Sequence, residues 1–156
     1  MKPVVFIGAG PGAADLITVR GAQRLARAEI VLHDALIDPA LRELGPRARW
    51  VDVGKRGFCD STGQTRINAL LVKYALEGRR VVRLKGGDPS VFGRLEEELE
   101  ALAEAGIECE VVPGVTAAGL VTRLPLRDGG WQGTITIEDR ADLRDGREPN
   151  ALYRII

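Results

Sequence analysis

The chain has 156 residues, of which 45% are apolar and 28% are charged, and Lys plus Arg equals Asp plus Glu at 22 each. These values are ordinary for a globular protein, and the length allows a core to be buried without disulfides or metals. The balanced charge gives no reason to expect nucleic acid or an anionic membrane as a partner.

Five short apolar runs predict buried β-strands. They lie at 3–7, 28–33, 50–53, 81–84 and 108–112. The segments between them predict helices, because apolar residues recur there every three or four positions. These helices lie at about 14–27, from 37 onward, through 67–75 and through 95–103. The alternation of strands and helices predicts a parallel sheet with helices packed on its faces.

The chain changes character after Pro113 and Gly114. Residues 134–137 alternate like a half-exposed strand, and 151–156 have the composition of another. The mixed-charge segment 138–149 has few apolar residues and predicts a solvated loop. We therefore expect a first α/β domain at 1–112, followed at 113–156 by a linker and a shorter second domain.

The cysteines and the apolar segments indicate the cellular compartment of the protein. Cys59 and Cys109 form no Cys-x-x-Cys pair, and free thiols in a reducing cytoplasm are the favoured interpretation. The apolar run from Val4 to Ile7 is too short for the core of a signal peptide, and no segment is long enough to span a bilayer. We expect a cytoplasmic protein.

Glycines, carboxylates and basic residues follow the predicted strands. Gly8 to Gly12 follow the first strand, Asp34 the second, Gly54 to Arg56 the third and Gly86 to Arg94 the fourth. Ligands usually bind at the carboxyl ends of the strands in an open α/β sheet. Four loops that are distant in sequence thus predict a small-molecule site at one edge of the sheet.

The first of these loops has two interpretations. Together with Asp34 it partly matches the G-x-G-x-x-G loop of dinucleotide-binding domains. However, Ala13 stands where the third glycine belongs, and Pro11 lacks the amide hydrogen that could bind a phosphate. A tight strand-to-helix turn without a ligand remains an equal alternative. His33 is the only histidine, and without nearby cysteine or acid spacing it predicts no metal site.

Taken together, these segments resemble the tetrapyrrole methylases, which use S-adenosylmethionine, and among them the enzymes that methylate uroporphyrinogen III. The matching segments are Gly8–Gly12, His33–Ile37, Val53–Arg56, Gln64–Leu71, Val81–Pro89, Phe92–Arg94 and Val111–Thr116. The resemblance covers about residues 3–117. It implies a parallel α/β first domain and an incomplete second α/β domain.

The resemblance also implies how ligands bind. S-adenosylmethionine, and S-adenosylhomocysteine after the transfer, would bind in a cleft between two domains. The positions that match cofactor contacts are Pro11, Gly86, Gly87, Asp88, Val91, Thr116 and Ala117. The expected reaction is methylation of uroporphyrinogen III at C2 and C7 to precorrin-2, for sirohaem or cobalamin. The family further suggests a homodimer.

Four positions match residues of the family's reaction site. Asp34 corresponds to the proton acceptor, Lys55 to the proton donor, and Arg94 and Glu97 to residues beside the tetrapyrrole. A carboxylate suits the first role because positive charge develops on the pyrrole ring during attack. The substrate carries several carboxylates, which cations could anchor. The candidate anchors are Lys55, Arg56, Lys85 and Arg94.

The sequence departs from the family pattern in three places. Leu95 and Glu96 stand where the family usually has two glycines, and His33 stands where tyrosine is common. Beyond Ala117 the motifs match less well. Two alternatives therefore stay open. One is a related methylase that acts on a later corrin intermediate, and the other is a non-catalytic module that binds a nucleotide or mediates dimerisation.

Overall fold

The computed structural model describes the backbone of residues 1–54, 61–90, 94–116, 119–125, 131–137 and 150–155. Side chains are described for 1–54, 63–90 and 94–116. The chain forms two compact units, Met1–Thr116 and Ala117–Ile156. The expected site residues that are described all belong to the first unit, which is therefore treated in more detail.

A five-stranded parallel sheet forms the centre of the first unit. Its strands are β1 (Val4–Gly8), β2 (Ile30–His33), β3 (Arg49–Asp52), β4 (Val81–Lys85) and β5 (Cys109–Val112). The strand order is β3-β2-β4-β1-β5, and every neighbouring pair is parallel. The predicted parallel sheet is thus confirmed, with strand bounds within two residues of those expected. The edge at which these strands end is called the carboxyl edge below.

In the described part of the first unit, three α-helices and two 3₁₀ segments connect these strands. The helices are α1 (Val19–Leu25), α2 (Ser61–Leu76) and α3 (Leu95–Glu104), and the 3₁₀ segments are Ala14–Leu16 and Pro39–Leu44. The helix predicted at about 14–27 is shorter than expected. Thr18 interrupts it with extended backbone (φ −68°, ψ 153°), and its hydroxyl accepts a hydrogen bond from Gly21 N at 3.1 Å. Thr18 is therefore the N-cap of α1, a role typical of threonine.

The sheet buries apolar side chains on both faces. Successive residues of a strand point to opposite faces, so Val4 and Phe6 of β1 join one core cluster while Ile7 joins the other. The first cluster includes Leu71 of α2 and Leu102 of α3, and the second includes Leu25 of α1. Helices covering both faces make this a doubly wound α/β domain, which leaves the carboxyl edge free for binding.

The described part of the second unit is an antiparallel sheet. Strands β6 (Gly119–Pro125), β7 (Trp131–Ile137) and β8 (Asn150–Ile155) pair in the order β6-β7-β8. The strands expected at 134–137 and 151–156 are confirmed, whereas β6 was not predicted. The loop expected at 138–149 lies outside the described residues. Among the described residues of the whole chain, no helix is long and apolar enough to cross a membrane.

Candidate functional site

Three glycine-containing turns meet at the carboxyl edge. Gly87 N donates a hydrogen bond to Gly10 O at 2.8 Å, and Gly10 N donates to Gly87 O at 3.2 Å. A Cβ built on Gly8 would lie 2.5 Å from Gly87 O and 2.5 Å from Gly114 Cα. The backbones after β1, β4 and β5 therefore pack directly against one another, which only glycine allows.

The same junction leaves backbone open to a ligand. Gly86 is exposed, and a Cβ added to it would meet no atom within 4 Å. Gly87 adopts φ +63°, a conformation that glycine adopts without strain. Pro11 is exposed one residue after Gly10, on the turn that is hydrogen-bonded to Gly87. Free space beside a rigid glycine backbone is what a small cofactor requires, so these residues fit the expected cofactor site.

Asp88 ties this junction together. Its Oδ1 accepts hydrogen bonds from the amide of Ser90 at 2.8 Å and from the Ser90 hydroxyl, and its Oδ2 accepts from Gly114 N at 3.0 Å. Burial alone would raise the pKa of Asp88, but these hydrogen bonds to the carboxylate hold it below its ordinary value. The Asp88 carboxylate thus joins the turn after β4 to the turn after β5.

This depressed pKa predicts a pH-dependent contribution to stability. Because the pKa of Asp88 is lower in the folded chain than in the unfolded chain, its contribution is present above the unfolded value and is lost as the pH falls through the folded value. Asp88→Asn should therefore lose less stability than the wild type between pH 7 and about pH 3. Urea unfolding at both pH values measures this difference. Equal losses in the two proteins would contradict it.

Asp34 lies immediately after β2 at the carboxyl edge and is held from two sides. Its Oδ1 accepts a hydrogen bond from Arg83 Nη2 at 2.7 Å, and its Oδ2 accepts from Gly86 N at 3.3 Å. The Asp34 side chain is 38% exposed, so it can still face a substrate. The structure therefore brings the expected proton acceptor into contact with the expected cofactor loop.

Behind Asp34 lies a buried cluster of charged side chains. The carboxylate of Glu98, which is 0% exposed, accepts from Arg83 Nε at 2.9 Å and from Lys85 Nζ at 2.8 Å. Burial would lower the pKa of Arg83, but Asp34 and Glu98 hold it above its ordinary value. Burial, together with the nearby Arg83 charge, lowers the pKa of Lys85 against the opposing effect of Glu98.

This cluster corrects one expectation and adds two residues. Lys85 was expected to anchor substrate carboxylates, but it is only 3% exposed and is bonded to Glu98, so that expectation is wrong. Arg83 and Glu98 were not predicted as site residues. The sequence held only part of a signal, because a cation in a central strand needs a buried acid as its partner, but local patterns do not show which acid that is.

Arg94 and Glu97 form a separate pair at the start of α3. Arg94 Nε donates to Glu97 Oε1 at 2.8 Å, and the two side chains are 47% and 48% exposed. Arg94 adopts φ +51°, the left-handed conformation that is rare for residues other than glycine. The two expected substrate-side residues are thus adjacent and open to solvent.

The remaining expected site residues are only partly covered by the structure. Thr116 is exposed at the end of the first unit. Lys55, Val91 and Ala117 lie outside the described residues, as does Arg56. Within the described ranges, no group of three or more His, Cys, Asp and Glu side chains could hold a metal ion.

Among the cavities in the described part of the chain, two lie at opposite edges of the sheet. One of about 350 Å³ lies at the carboxyl edge and is lined by residues that include His33, Asp38 and Asp52. A larger one of about 460 Å³ lies at the opposite edge, between Lys2 and Arg80. The candidate site is the glycine junction with Asp34, which line neither of these cavities, because ligands of such sheets bind at the carboxyl edge.

His33 lies immediately before Asp34, at the position where tyrosine is common in the family. Its Nδ1 lies 2.8 Å from the carbonyl oxygen of Asp34, so Nδ1 carries a proton and donates. Its Nε2 is buried and has no hydrogen-bond partner in the described part of the chain. The ring also contacts Trp50, with centroids 5.7 Å apart. His33 therefore supports the backbone of Asp34 from the neighbouring position.

The doubly wound α/β domain thus has, at its carboxyl edge, a glycine junction with open space beside it and a carboxylate held by Arg83, an arrangement typical of domains that bind a small molecule. Comparison with known proteins identifies the family. The model for Tetrapyrrole (Corrin/Porphyrin) Methylases matches residues 3–153, and the chain belongs to this family. The match extends beyond residue 117, where the resemblance by motifs ended.

Named relatives and solved structures agree with this assignment. The chain is 48% identical to Siroheme synthase 2 of Aeromonas hydrophila, over 94% of the chain and 32% of that protein. It is 50% identical to Uroporphyrinogen-III C-methyltransferase of Pseudomonas aeruginosa, over 73% of the chain and 46% of that protein. The structure of Uroporphyrin-III C-methyl transferase from Thermus thermophilus complexed with S-adenyl homocysteine matches with a TM-score of 0.65 and 42% identity, over 75% of this chain and 50% of the other. The chain thus spans half or less of these relatives.

Proposed function

We propose that this chain carries the catalytic edge of a methyltransferase that uses S-adenosylmethionine and acts on uroporphyrinogen III. The observation that carries the proposal is the contact between Asp34 and Gly86, since it joins the expected proton acceptor to the expected cofactor loop. The finer expectation is methylation at C2 and C7 to precorrin-2, serving sirohaem or cobalamin formation in the cytoplasm. The acting form is proposed to be a homodimer.

The cofactor-binding residues are proposed from the glycine junction and from the resemblance. They are Pro11, Gly86, Gly87, Asp88, Val91, Thr116 and Ala117. Gly86 provides open space and Asp88 keeps the loop in place through Gly114. The solved relative with S-adenyl homocysteine, at 42% identity, supports this choice of ligand. When bound, S-adenosylmethionine supplies an electrophilic methyl group.

The reaction then depends on what the protein does to the pyrrole ring. Asp34 presents a carboxylate that can stabilise the positive charge that the ring gains when its carbon attacks the methyl group, and can accept the proton that the ring then loses. Lys55 is the proposed proton donor, and Arg94 with Glu97 is proposed to contact the tetrapyrrole. Arg94 is half exposed, so its guanidinium can exchange Glu97 for a substrate carboxylate.

A related methylase acting on a corrin intermediate is the second candidate. Cobalt precorrin-4 methyltransferase matches the chain with a TM-score of 0.61 but only 30% identity. The higher identity to proteins named for uroporphyrinogen III favours the first candidate. Methyl-transfer assays of this protein with uroporphyrinogen III and with corrin intermediates distinguish the two candidate functions.

Titration with S-adenosylhomocysteine tests the cofactor site directly. We expect saturable heat in isothermal titration of the wild type. Gly86→Val should lower the affinity at least about tenfold, or about 1.4 kcal/mol, because its side chain fills the space beside the loop. The same change should not lower the urea midpoint, since no atom lies within 4 Å of a Cβ at Gly86.

Glu96→Gln is the matched control, because Glu96 is exposed on α3 and belongs to no proposed site. It should bind S-adenosylhomocysteine as the wild type does. Absence of binding by the folded wild type would overturn the proposed cofactor site. Equal binding by Gly86→Val would move the site away from this loop.

A further inference from the structure

We propose that Glu98 is a positioning residue, which fixes the carboxylate of Asp34 at the carboxyl edge by holding Arg83. The assignment rests on the proposed methyltransferase function, because that function gives Asp34 its role. It concerns residues to which neither the motifs nor the comparisons assign a part.

The fold explains why these side chains meet. Every second residue of β4 points to the same face of the sheet, so Arg83 and Lys85 share a face with Val81. Val81 packs in the core cluster that includes α2 and α3. Glu98 lies in the first turn of α3. Both of its oxygens are occupied, one by Arg83 at 2.9 Å and the other by Lys85 at 2.8 Å.

Arg83 transmits this constraint because all three of its nitrogens are bonded. Nε donates to Glu98, Nη2 donates to Asp34 at 2.7 Å, and Nη1 lies 3.4 Å from Leu32 O and 3.3 Å from Leu84 O. The guanidinium is planar, so it cannot rotate without breaking several of these bonds. The place at which Glu98 holds Arg83 therefore sets the place of the Asp34 carboxylate.

Stability alone does not account for this arrangement. Two cations and the Glu98 carboxylate are almost fully buried, with Arg83 and Lys85 each 3% exposed. Apolar side chains of similar size often stabilise a core as well as or better than a buried ion pair. Apolar side chains could not hold the Asp34 carboxylate in place at the carboxyl edge, whereas Glu98 does so through Arg83.

The test compares Glu98→Gln with Glu96→Gln, an exposed glutamate in the same turn of α3. Glu98→Gln should lower kcat for methyl transfer to uroporphyrinogen III by about 10- to 100-fold, because a small displacement of Asp34 costs that much. The KM for S-adenosylmethionine should stay within about twofold, because Glu98 is bonded to Arg83 and Lys85, neither of which is a proposed cofactor-binding residue. The control should match the wild type in both constants.

A double-mutant cycle separates positioning from a general structural effect. If Glu98 acts through Asp34, Glu98→Gln should not lower the residual rate of Asp34→Asn any further. A purely structural effect would reduce the rate equally in both backgrounds. Arg83→Lys is the second variant, because lysine keeps the charge but cannot bridge Glu98 and Asp34, and its kcat should also fall about 10-fold or more.

Urea unfolding of the four proteins of this cycle measures the coupling between Glu98 and Asp34 without requiring methyl transfer. Each single change leaves Arg83 one carboxylate and the double change leaves it none. The folding equilibrium constant of the double variant should therefore fall at least about threefold further than the product of the two single fold-changes predicts. Additive losses would overturn the positioning role. A wild type without methyl transfer would overturn the proposed function instead. Wild-type kcat in both Glu98→Gln and Arg83→Lys would overturn the positioning role alone.

Discussion

Asp34→Asn is expected to lower the rate of methyl transfer to uroporphyrinogen III by about 10²- to 10⁴-fold, the usual contribution of a general base. Asparagine has nearly the same size and keeps an oxygen that can accept from Arg83 Nη2, which lies 2.7 Å from Asp34 Oδ1. The change removes the negative charge and the capacity to accept a proton. The loss should therefore appear in kcat rather than in cofactor binding.

The folded structure should tolerate this change. Asp34 is 38% exposed, so water screens much of the charge that is lost. Arg83 keeps its hydrogen bond to Glu98 at 2.9 Å and therefore remains paired. Affinity for S-adenosylhomocysteine should stay within about threefold of the wild type, because the loop keeps the two backbone hydrogen bonds between Gly87 and Gly10 and loses only the long one from Gly86 N to Asp34. Calorimetric titration beside the rate assay checks this separation.

Asp52→Asn provides a matched control at the end of the neighbouring strand β3. The Oδ1 atom of Asp52 accepts from Gly54 N at 2.9 Å, a hydrogen bond that the amide oxygen of asparagine can keep. This variant should transfer methyl groups at about the wild-type rate, within about twofold. A similar loss in both variants would mean that the rate reports charge at the carboxyl edge in general. A wild-type rate in Asp34→Asn would remove Asp34 from the chemistry.

The order of strands and helices in the first unit could be predicted from local sequence patterns. Four of the five strands are short apolar runs that end at or just before a glycine, an aspartate or a basic residue, the fifth is followed by Pro113, and these runs alternate with helical periodicity. Because parallel strands all end at one edge, the loops after them had to meet there. The start of α1 was missed because Thr18 competes with the helix as an N-cap, which periodicity does not detect.

The buried cluster could not be predicted from the same patterns. Glu98 stands in a run of acids at the start of α3, where glutamates stabilise the helix dipole without any partner. Lys85 is the last residue of β4, a position equally typical of a solvated cation. Only the register of β4 and the rotation of α3 place Lys85, Arg83 and Glu98 in one buried group. Both quantities are set by tertiary packing rather than by local sequence.

Gly8→Ala is expected to lower the free energy of unfolding of the first unit by about 3 kcal/mol, at the upper end of what overpacking usually costs. The added methyl group would lie 2.5 Å from Gly87 O and 2.6 Å from Gly114 N. Both contacts are to backbone atoms, which cannot turn away as a flexible side chain can. Gly8 itself cannot retreat, because β1 is paired with β4 on one side and β5 on the other.

Gly86→Ala is the control for this prediction. It lies in the same junction, but a Cβ there meets no atom within 4 Å. Its backbone does not have a positive φ, so alanine should raise stability by about 0.4–1 kcal/mol through the unfolded chain. The two changes, identical in chemistry, should therefore shift urea midpoints in opposite directions.

Any backbone movement that relieves the clash in Gly8→Ala should also disturb the proposed cofactor site. If the turn after β4 moves, the paired hydrogen bonds between Gly87 and Gly10 are strained, and if the turn after β5 moves, Gly114 N leaves Asp88. Either movement displaces residues proposed to bind the cofactor, so S-adenosylhomocysteine affinity should fall even where the protein remains folded. Wild-type affinity with a lowered urea midpoint would show that the junction supports the fold alone and that the cofactor binds elsewhere.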